Sequence, residues 1–141
     1  MSAQEVFVST DKTKLDVTFI HDYLSKSAYW SKGRSIKEVR TTIENSLCFG
    51  LYTKKEEEQI GFARVATDFV VFAWLMDVFI KEQSKGKGYG QFLIDSILNY
   101  KSLQLVNGIG LRTSDAQGFY KKFGFSSLSE PETWMFKNNI K

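Results

Sequence analysis

The stretch from position 74 to position 100 constrains the fold more than any other part of the chain. It begins with an apolar run at 74–80, passes through a charged turn at 85–90 and ends in a helical pattern. Phe92, Leu93, Ile97 and Leu98 recur there at spacings that share one helical face. A strand, a glycine turn and a helix in this order present backbone N–H groups and the positive end of a helix dipole to an anion.

The composition of the turn indicates which anion it would bind. Its glycines lack a Cβ, so a ligand can approach the main chain closely, and its lysines add positive charge. A diphosphate suits this arrangement best. The turn consists of Lys85, Gly86, Lys87, Gly88, Tyr89 and Gly90.

Spacing excludes two common phosphate-binding motifs. A P-loop would need Gly-Lys-Ser/Thr after a four-residue gap from an earlier glycine, and the chain has no such run. The dinucleotide fingerprint G-x-G-x-x-G is also absent, because these glycines alternate strictly and lie in the middle of the chain.

Length and composition predict one globular domain, spanning residues 1–141. The net charge of +3 is too small to predict nucleic-acid binding, and no apolar run approaches the roughly 20 residues of a membrane span. The N-terminus lacks a signal-peptide pattern and Cys48 has no partner for an internal disulfide, so we expect a cytoplasmic protein. With one histidine and one cysteine, we expect no metal site.

Hydrophobic periodicity predicts an α/β (α+β) fold with the order β-α-α-β-β-β-α-β-α-β-β. Three antiparallel strands would lead into a parallel βαβ step. Ser35 and Glu38 form a capping box for the second helix, and Ser114 or Asp115 is the expected N-cap of the last helix, which Gly124 ends. The predicted strands cover 5–9, 47–52, 59–66, 72–81, 105–111, 125–128 and 133–137, and the predicted helices cover 16–28, 36–45, 90–100 and 115–123.

Two segments resemble motifs of the GNAT-type N-acetyltransferase superfamily. Residues 85–90 resemble motif A, [Q/R]-x-x-G-x-[G/A], with Lys85 where Gln or Arg is usual. Residues 113–125 resemble motif B, N-x-x-A-x-x-[L/F]-Y-x-x-x-G-F, with Thr113 at the Asn position. The resemblance covers nearly the whole chain, and YWSKGR, GFARVATD and DVF resemble a bacterial subgroup of small, mostly uncharacterised GNAT proteins. It implies a mixed sheet of about seven strands with about four helices, in which parallel strands four and five splay apart to hold the cofactor.

The resemblance implies acetyl transfer from acetyl-CoA to an amine by direct attack. Tyr120 aligns with the tyrosine that protonates the CoA thiolate in many members, and an ordinary phenol, with a pKa of about 10, is protonated at neutral pH. The turn amides would hold the pyrophosphate, and main-chain groups at the end of the fourth strand would hold the thioester and pantetheine. Besides the turn, the expected cofactor contacts are Val78, Phe79, Ile80, Thr113 and Phe119.

The general base stays open on the sequence alone. The family often places a Glu on its fourth strand, but the matching positions 74–76 carry no carboxylate. Asp77 is the acid of that strand, and we expect it either to serve as the base or amine-binding group, or to form structural hydrogen bonds, since an unpaired buried carboxylate is costly. Asp68 and a water chain are alternatives.

The first two helices and the loop between them are expected to build the acceptor side. Arg64 is unusual in an apolar strand, and it either pairs with Asp68 or Asp77 or holds an acidic part of the substrate, because its planar fork suits carboxylates. The expected acceptor is a primary amine of a small or amino-acid-like molecule. The candidate residues are Tyr29, Trp30, Arg34 and Arg64.

Two functions of different classes remain. The first is an acetyl-CoA-dependent N-acetyltransferase, which the intact Tyr120 favours. The second is an acyl-CoA-binding module with weak or no transfer, which the missing strand Glu and the substituted Thr113 favour. By analogy with the family, a homodimer through the late strands, near Phe136, is compatible with the pattern; nucleic acid and membranes are not expected partners.

Overall fold

A five-stranded mixed sheet forms the centre of the computed structural model, which describes residues 5–140. The strands lie in chain order across the sheet; β1 to β4 pair antiparallel, and β4 pairs parallel with β5. The two ends of the predicted domain, residues 1–4 and Lys141, lie outside the described residues. The strands are β1 (Val6–Ser9), β2 (Leu47–Thr53), β3 (Gln59–Thr67), β4 (Phe72–Ile80) and β5 (Gly108–Leu111).

Four α-helices flank this sheet within residues 5–140. The carboxylate of Asp16 accepts a hydrogen bond from the Phe19 amide at 3.0 Å and begins α1, and Ser35 with Glu38 forms the predicted capping box of α2. None of the described helices combines the length and apolarity needed to cross a bilayer. The helices are α1 (Val17–Asp22, continued by a π-helical turn at Tyr23–Ser27), α2 (Ile36–Glu44), α3 (Tyr89–Leu98) and α4 (Gln117–Lys121), with 3-10 turns at Lys12–Lys14, Glu82–Ser84, Lys101–Leu103 and Pro131–Thr133.

Side chains alternate across the strands and bury two apolar clusters, one on each face of the sheet. On one face, α1 and α2 cover Phe62 and Phe79, and Tyr23 stacks on Phe79 with ring centroids 4.0 Å apart. On the other face, α3 covers the remaining strand side chains. Each fully buried large apolar side chain contributes about 1.5–3 kcal/mol, so both layers hold the sheet firmly. The second cluster includes Val6, Phe49, Leu51, Ile60, Ala63, Val65, Ala73, Leu75, Leu93, Ile94 and Ile97.

Strand β4 is interrupted by a bulge at Asp77. Between two paired positions of the ladder, β3 contributes one residue, Ala63, and β4 contributes two, Asp77 and Val78. The φ angle of Asp77 is +55°, in the left-handed region that few residues other than glycine adopt. A regular strand would place Asp77 on the same face as Leu75, toward α3. The bulge instead directs its carboxylate toward Arg64 and the α1–α2 loop.

The described sheet has five strands rather than the seven expected. Segments 125–128 and 133–137, predicted as the last two strands, form no strand ladder within residues 5–140. Part of this region still packs on the domain, since Phe125 lies against Tyr120 and Trp134 against Phe72, but Met135 is 94% and Phe136 is 84% exposed. The predicted strand 105–111 is also shorter, because the chain is still turning at Leu105 and pairing begins at Gly108. Alternation of apolar and polar residues therefore overestimated the strands after Leu103.

We expect Tyr52→Phe to raise the free energy of unfolding by about 1 kcal/mol, because leaving a buried polar group unpaired costs about 1–3 kcal/mol. The Tyr52 hydroxyl is buried and has no hydrogen-bond partner among the described residues, and its ring lies over Gly50 in the same strand. Urea titration measures the change. Tyr100→Phe is the control, since its hydroxyl lies 3.5 Å from the Thr10 hydroxyl and its removal gives no gain. An unchanged or lower midpoint for Tyr52→Phe would contradict the prediction.

Candidate active site

A cavity of about 510 Å³ opens between β4, β5 and the loop that joins α1 to α2. It brings together eight residues that the sequence had nominated, from four separate stretches of chain. A second groove, of about 580 Å³, lies between β1 and α3 and contains none of the nominated residues. The nominated residues in the first cavity are Tyr29, Trp30, Arg34, Arg64, Asp77, Val78, Thr113 and Tyr120.

The cavity exists because β4 and β5 stop pairing halfway along β4. Their parallel ladder ends at Leu75 and Leu111, and β4 continues to Ile80. Val78 lines the cavity, whereas the side chains of Phe79 and Ile80 belong to the two apolar clusters on opposite faces of the sheet. Of these two residues, Phe79 turns its main-chain groups toward Phe62 of β3, and Ile80 turns them toward the edge that β5 leaves. Backbone groups released from a sheet require another hydrogen-bond partner.

The glycine turn before α3 leaves its amides free. Gly86 and Gly88 have φ angles of +81° and +82°, which L side chains seldom adopt. Within the described part of the chain, the amides of Gly86, Lys87, Gly88 and Tyr89 donate no hydrogen bond. A Cβ placed on either Gly86 or Gly88 would meet nothing within 4 Å. The turn therefore presents unpaired N–H groups, in open surroundings, at the N-terminus of a ten-residue helix.

The two lysines of the turn differ in their surroundings. Lys85 pairs with Glu82 at 3.1 Å, and this contact raises the pKa of Lys85 above its usual value. Lys87 is exposed and has no ion-pair partner among residues 5–140. Lys87 is therefore the lysine more available to an anion.

The first turn of α3 approaches α4 at Gly90, because a Cβ placed there would lie 3.7 Å from the ring of Phe119.

Asp77 lies at the centre of a buried polar cluster. One of its carboxylate oxygens accepts hydrogen bonds from Arg64 Nε at 2.6 Å and Arg34 Nη1 at 2.7 Å, and the other accepts one from Trp30 Nε1 at 3.0 Å. Burial acts most strongly and would raise the pKa of Asp77, but the hydrogen bonds and charges of the two arginines outweigh it, so the pKa lies below its usual value. Arg64 also donates to Ser46 at 3.0 Å. The expected internal pairing of Arg64 is therefore made with Asp77.

Asp68, the alternative base, lies outside the cavity lining and serves the turn before β4 instead. One of its oxygens accepts hydrogen bonds from the amides of Val70, Val71 and Phe72. These three bonds lower the pKa of Asp68. Its carboxylate is thus occupied in shaping the chain.

Tyr120 of α4 is a buried residue that lines the cavity. The rings of Phe119 and Phe125 pack edge-on against it. Burial, followed by the negative charge of Asp115, raises the pKa of Tyr120 to about 12. The phenol therefore carries its proton throughout the neutral range.

The α4 N-terminus differs from the expectation and brings in a residue that the sequence did not nominate for the site. The N-cap position is Ala116, and the Thr113 hydroxyl accepts its amide hydrogen bond at 3.1 Å, so Ser114 and Asp115 do not cap the helix. Asp115 instead lines the cavity and accepts a hydrogen bond from the Tyr29 hydroxyl at 3.3 Å. The pattern gave one signal for this role, the place of Asp115 within motif B, five positions before Tyr120.

Trp74 and Arg112 also line the cavity without having been nominated. The sequence pattern indicated Trp74 only as part of an apolar strand, and Arg112 follows the predicted strand 105–111 directly. Nowhere in residues 5–140 do three or more His, Cys, Asp or Glu side chains converge as metal ligands would.

A mixed sheet whose parallel strands diverge above a glycine turn defines the GNAT class of fold, and comparisons agree. The acetyltransferase (GNAT) domain model matches residues 44–127. A Xanthomonas campestris pv. campestris protein assigned to the GNAT family has a TM-score of 0.90 and 38% identity, over 94% of this chain and 92% of its own. A Gibberella zeae protein, provisionally named an acetyltransferase, is 33% identical over 67% of this chain and 63% of its own length. A Clostridium acetobutylicum protein, an acetyltransferase by prediction, was solved with acetyl-CoA and shares the fold at a TM-score of 0.61 and 17% identity, over 94% of each chain.

The chain belongs to the GNAT family of acetyltransferases. The family and fold expected from motifs A and B are thereby confirmed, with the number of strands as the exception. The chain spans less than two thirds of the length of the curated relatives that it matches, 63–64%.

We expect Asp77→Asn to lower the free energy of unfolding by about 3–5 kcal/mol, the usual cost of leaving buried charges without their partner. The substitution would leave Arg34 and Arg64, whose side chains are 21% and 11% exposed, without a counter-charge. Urea titration at pH 7 measures the loss. The matched control is Glu58→Gln, which breaks the exposed pair with Lys81 and should cost less than about 1 kcal/mol. Equal losses for the two variants would contradict the prediction.

The lowered pKa of Asp77 also sets the sign of a pH dependence. A carboxyl group with a lower pKa in the folded than in the unfolded chain stabilises the fold above its unfolded pKa, about 3.9, and this contribution is lost as the pH falls through the folded value. We therefore expect wild-type stability to fall more steeply than that of Asp77→Asn between about pH 5 and pH 2. Denaturant titrations in steps across that range provide the measurement. Equal slopes of the free energy of unfolding against pH in the two proteins would contradict the prediction.

Proposed function

We propose that this protein transfers the acetyl group of acetyl-CoA to the amine of a small acceptor. The observation that carries the proposal is the position of Tyr120, a buried and protonated phenol, in the same cavity as the unpaired end of β4. A proton donor and a row of free main-chain groups are what thioester aminolysis requires. Family membership supports the donor molecule, and the acceptor is inferred below.

The residues present fit acetyl-CoA. The free amides of the glycine turn, with Lys87 beside them, suit a diphosphate at the α3 N-terminus. Between Val78 and Ile80, the edge of β4 that β5 leaves offers main-chain groups to an extended amide-containing arm, as an additional strand would use them. Bound there, acetyl-CoA would supply the activated acetyl group as a thioester.

In this proposal Tyr120 acts as the general acid. The reaction forms a bond between the amine nitrogen and the acetyl carbon, breaks the carbon–sulfur bond, removes a proton from the amine and adds one to the sulfur. The Tyr120 hydroxyl holds its proton at neutral pH, as an ordinary phenol does, and burial and the nearby Asp115 raise its pKa further. It can therefore give that proton to the departing sulfur and regain one afterwards.

Asp77 receives a positioning role rather than that of the base. Its two carboxylate oxygens are occupied by three donors, and its pKa is lowered, which makes it a weak proton acceptor. Through those donors it fixes Trp30 and Arg34 of the α1–α2 loop against the sheet. This leaves a water molecule or Asp115, the other carboxylate lining the cavity, to take the amine proton.

A second candidate function is an acyl-CoA-binding module with little or no transfer. The occupied carboxylate of Asp77 favours it, as does the use of the Thr113 hydroxyl in capping α4. Release of free CoA from acetyl-CoA across a panel of amines, measured beside calorimetric binding of acetyl-CoA, separates the two. Tight binding without release for any amine would favour the module.

We expect Tyr120→Phe to lower kcat by about a hundredfold or more, the range for a positioned acid, while acetyl-CoA affinity is kept. Thiol release under saturating amine measures kcat, and calorimetry measures the affinity. Tyr52→Phe removes a phenol hydroxyl that lies outside the cavity and serves as the matched control. A Tyr120→Phe enzyme with wild-type kcat would remove this residue from the chemistry.

We expect Gly88→Val to abolish measurable acetyl-CoA binding, because its side chain would project into the open space in front of the turn amides. The substitution also strains a position with φ of +82°. Gly33→Val is the matched control, since Gly33 has the same φ and equally open surroundings but lies in the α1–α2 loop. Both variants should lose similar stability, and calorimetry should show a lost affinity for Gly88→Val alone. Normal affinity for Gly88→Val would refute the placement of the diphosphate.

A further inference from the structure

The cluster around Asp77 carries one positive charge in excess. Arg34 and Arg64 both bond to the same carboxylate oxygen, at 2.7 Å and 2.6 Å. No other carboxylate of the described residues pairs with either guanidinium. The arginine side chains are mostly buried, so water screens this excess charge poorly. A cavity that holds an uncompensated cation favours an anionic guest.

The guanidinium groups also retain free donors. Arg34 uses Nη1 alone, and Arg64 uses Nε and Nη1 for Asp77 and Ser46, within the described part of the chain. The remaining N–H groups belong to two residues that line the cavity. Guanidinium N–H groups match the geometry of a carboxylate and bind it with charge-assisted hydrogen bonds.

The opposite charge lies elsewhere in the same cavity. Asp115 has no cationic partner within 4 Å among residues 5–140, and its hydrogen-bond donors are the Tyr29 and Thr113 hydroxyls. It is near enough to Tyr120 for its charge to act on that phenol. Four aromatic side chains line this cavity, and aromatic faces attract organic cations. They are Tyr29, Trp30, Trp74 and Tyr120.

We propose that the acceptor is a small zwitterion, whose carboxylate binds Arg34 and Arg64 and whose amine is held at Asp115 beside Tyr120. The proposal rests on the acetyl transfer proposed above and names its substrate class. One carboxylate neutralises the excess charge of the arginine pair, and one ammonium group neutralises Asp115. Arg112 and Asp115 are both exposed, so solvent screens their charges, and the mostly buried arginine pair is the stronger of the two anchors.

Because the arginine pair and Asp115 bind opposite charges, they would hold the acceptor in one orientation. With the carboxylate at the arginine pair, the amine is placed on the side of the cavity that contains the proposed acid. Amines without a carboxylate would lose this orientation and would leave the cavity's excess charge unpaired. Discrimination of this kind is strong because it depends on a buried polar group that would otherwise lack a partner.

The test compares pairs of amines in which one member carries the carboxylate and the other does not. α-Amino acids are paired with their methyl esters, and ω-amino acids of increasing length with the corresponding unbranched alkylamines. Thiol release from acetyl-CoA gives kcat/KM for each member. We expect a preference of about ten- to hundredfold for the carboxylate member of at least one pair, the scale of a charge-assisted contact. Equal values within every pair would overturn the proposal while leaving acetyl transfer intact.

Two variants locate the preference on the residues named. Arg34→Met leaves Asp77 paired with Arg64 and removes the excess charge, so the ratio of kcat/KM within the preferred pair should fall toward one. Arg40→Met, on the exposed side of α2, is the matched control and should keep the ratio. Asp115→Asn should raise KM for both members of a pair and leave their ratio in place. A ratio unchanged in Arg34→Met would overturn the assignment of the carboxylate.

Direct binding separates failure of this proposal from failure of the enzyme function. The same pairs are titrated by calorimetry into the full chain in the presence of CoA. If no amine is turned over but the carboxylate members still bind more tightly, the acetyl transfer fails and the zwitterion site stands. If neither turnover nor binding distinguishes the members of any pair, the zwitterion site is wrong.

Discussion

The buried contact between Asp77 and the guanidinium groups of Arg34 and Arg64 is the interaction on which the rest of the site depends. It joins β4, β3 and the α1–α2 loop at a single carboxylate. Burying that carboxylate costs several kcal/mol unless donors surround it, and three donors do so here. The left-handed backbone of Asp77 is tolerated because these partners hold it in place. The same bulge lies beyond the last paired residue of β4 and β5, where the cavity opens.

The two apolar clusters and the polar site occupy different parts of the sheet. Where β4 pairs on both sides, its alternate side chains are buried and its backbone is satisfied. Where β5 leaves it, β4 still pairs with β3, but the backbone groups on its other edge are free and the surroundings become polar and aromatic. The glycine turn also has unpaired main-chain groups, since its free amides lie at a helix N-terminus. These unpaired main-chain groups are the ones to which we assign the binding of acetyl-CoA.

Local patterns predicted those parts of the structure that depend on nearby residues. The capping box of Ser35 and Glu38 formed as expected, because both partners lie within one helical turn. The prediction of the last two strands was wrong because a strand needs a partner strand to pair with. Alternation in 133–137 does not show whether such a partner is available. The predicted N-cap of α4, Ser114 or Asp115, was wrong. The N-cap position is Ala116, whose amide donates to the hydroxyl of Thr113. Asp115 was missed for the site because its neighbour Tyr29 is distant in sequence.

The sequence by itself determined the class of this protein. Two motifs, the glycine turn before α3 and the segment ending in Gly124 and Phe125, sufficed to indicate the family, since their spacing encodes a strand, a turn and a helix that are local. Only the tertiary structure decided which side chains line the cavity that we propose for the acceptor. The partner of Arg64, the direction of the Asp77 carboxylate and the place of Asp115 each depend on contacts between distant segments. A one-residue bulge reverses the face of a strand, and neither residue type nor periodicity reveals where it occurs.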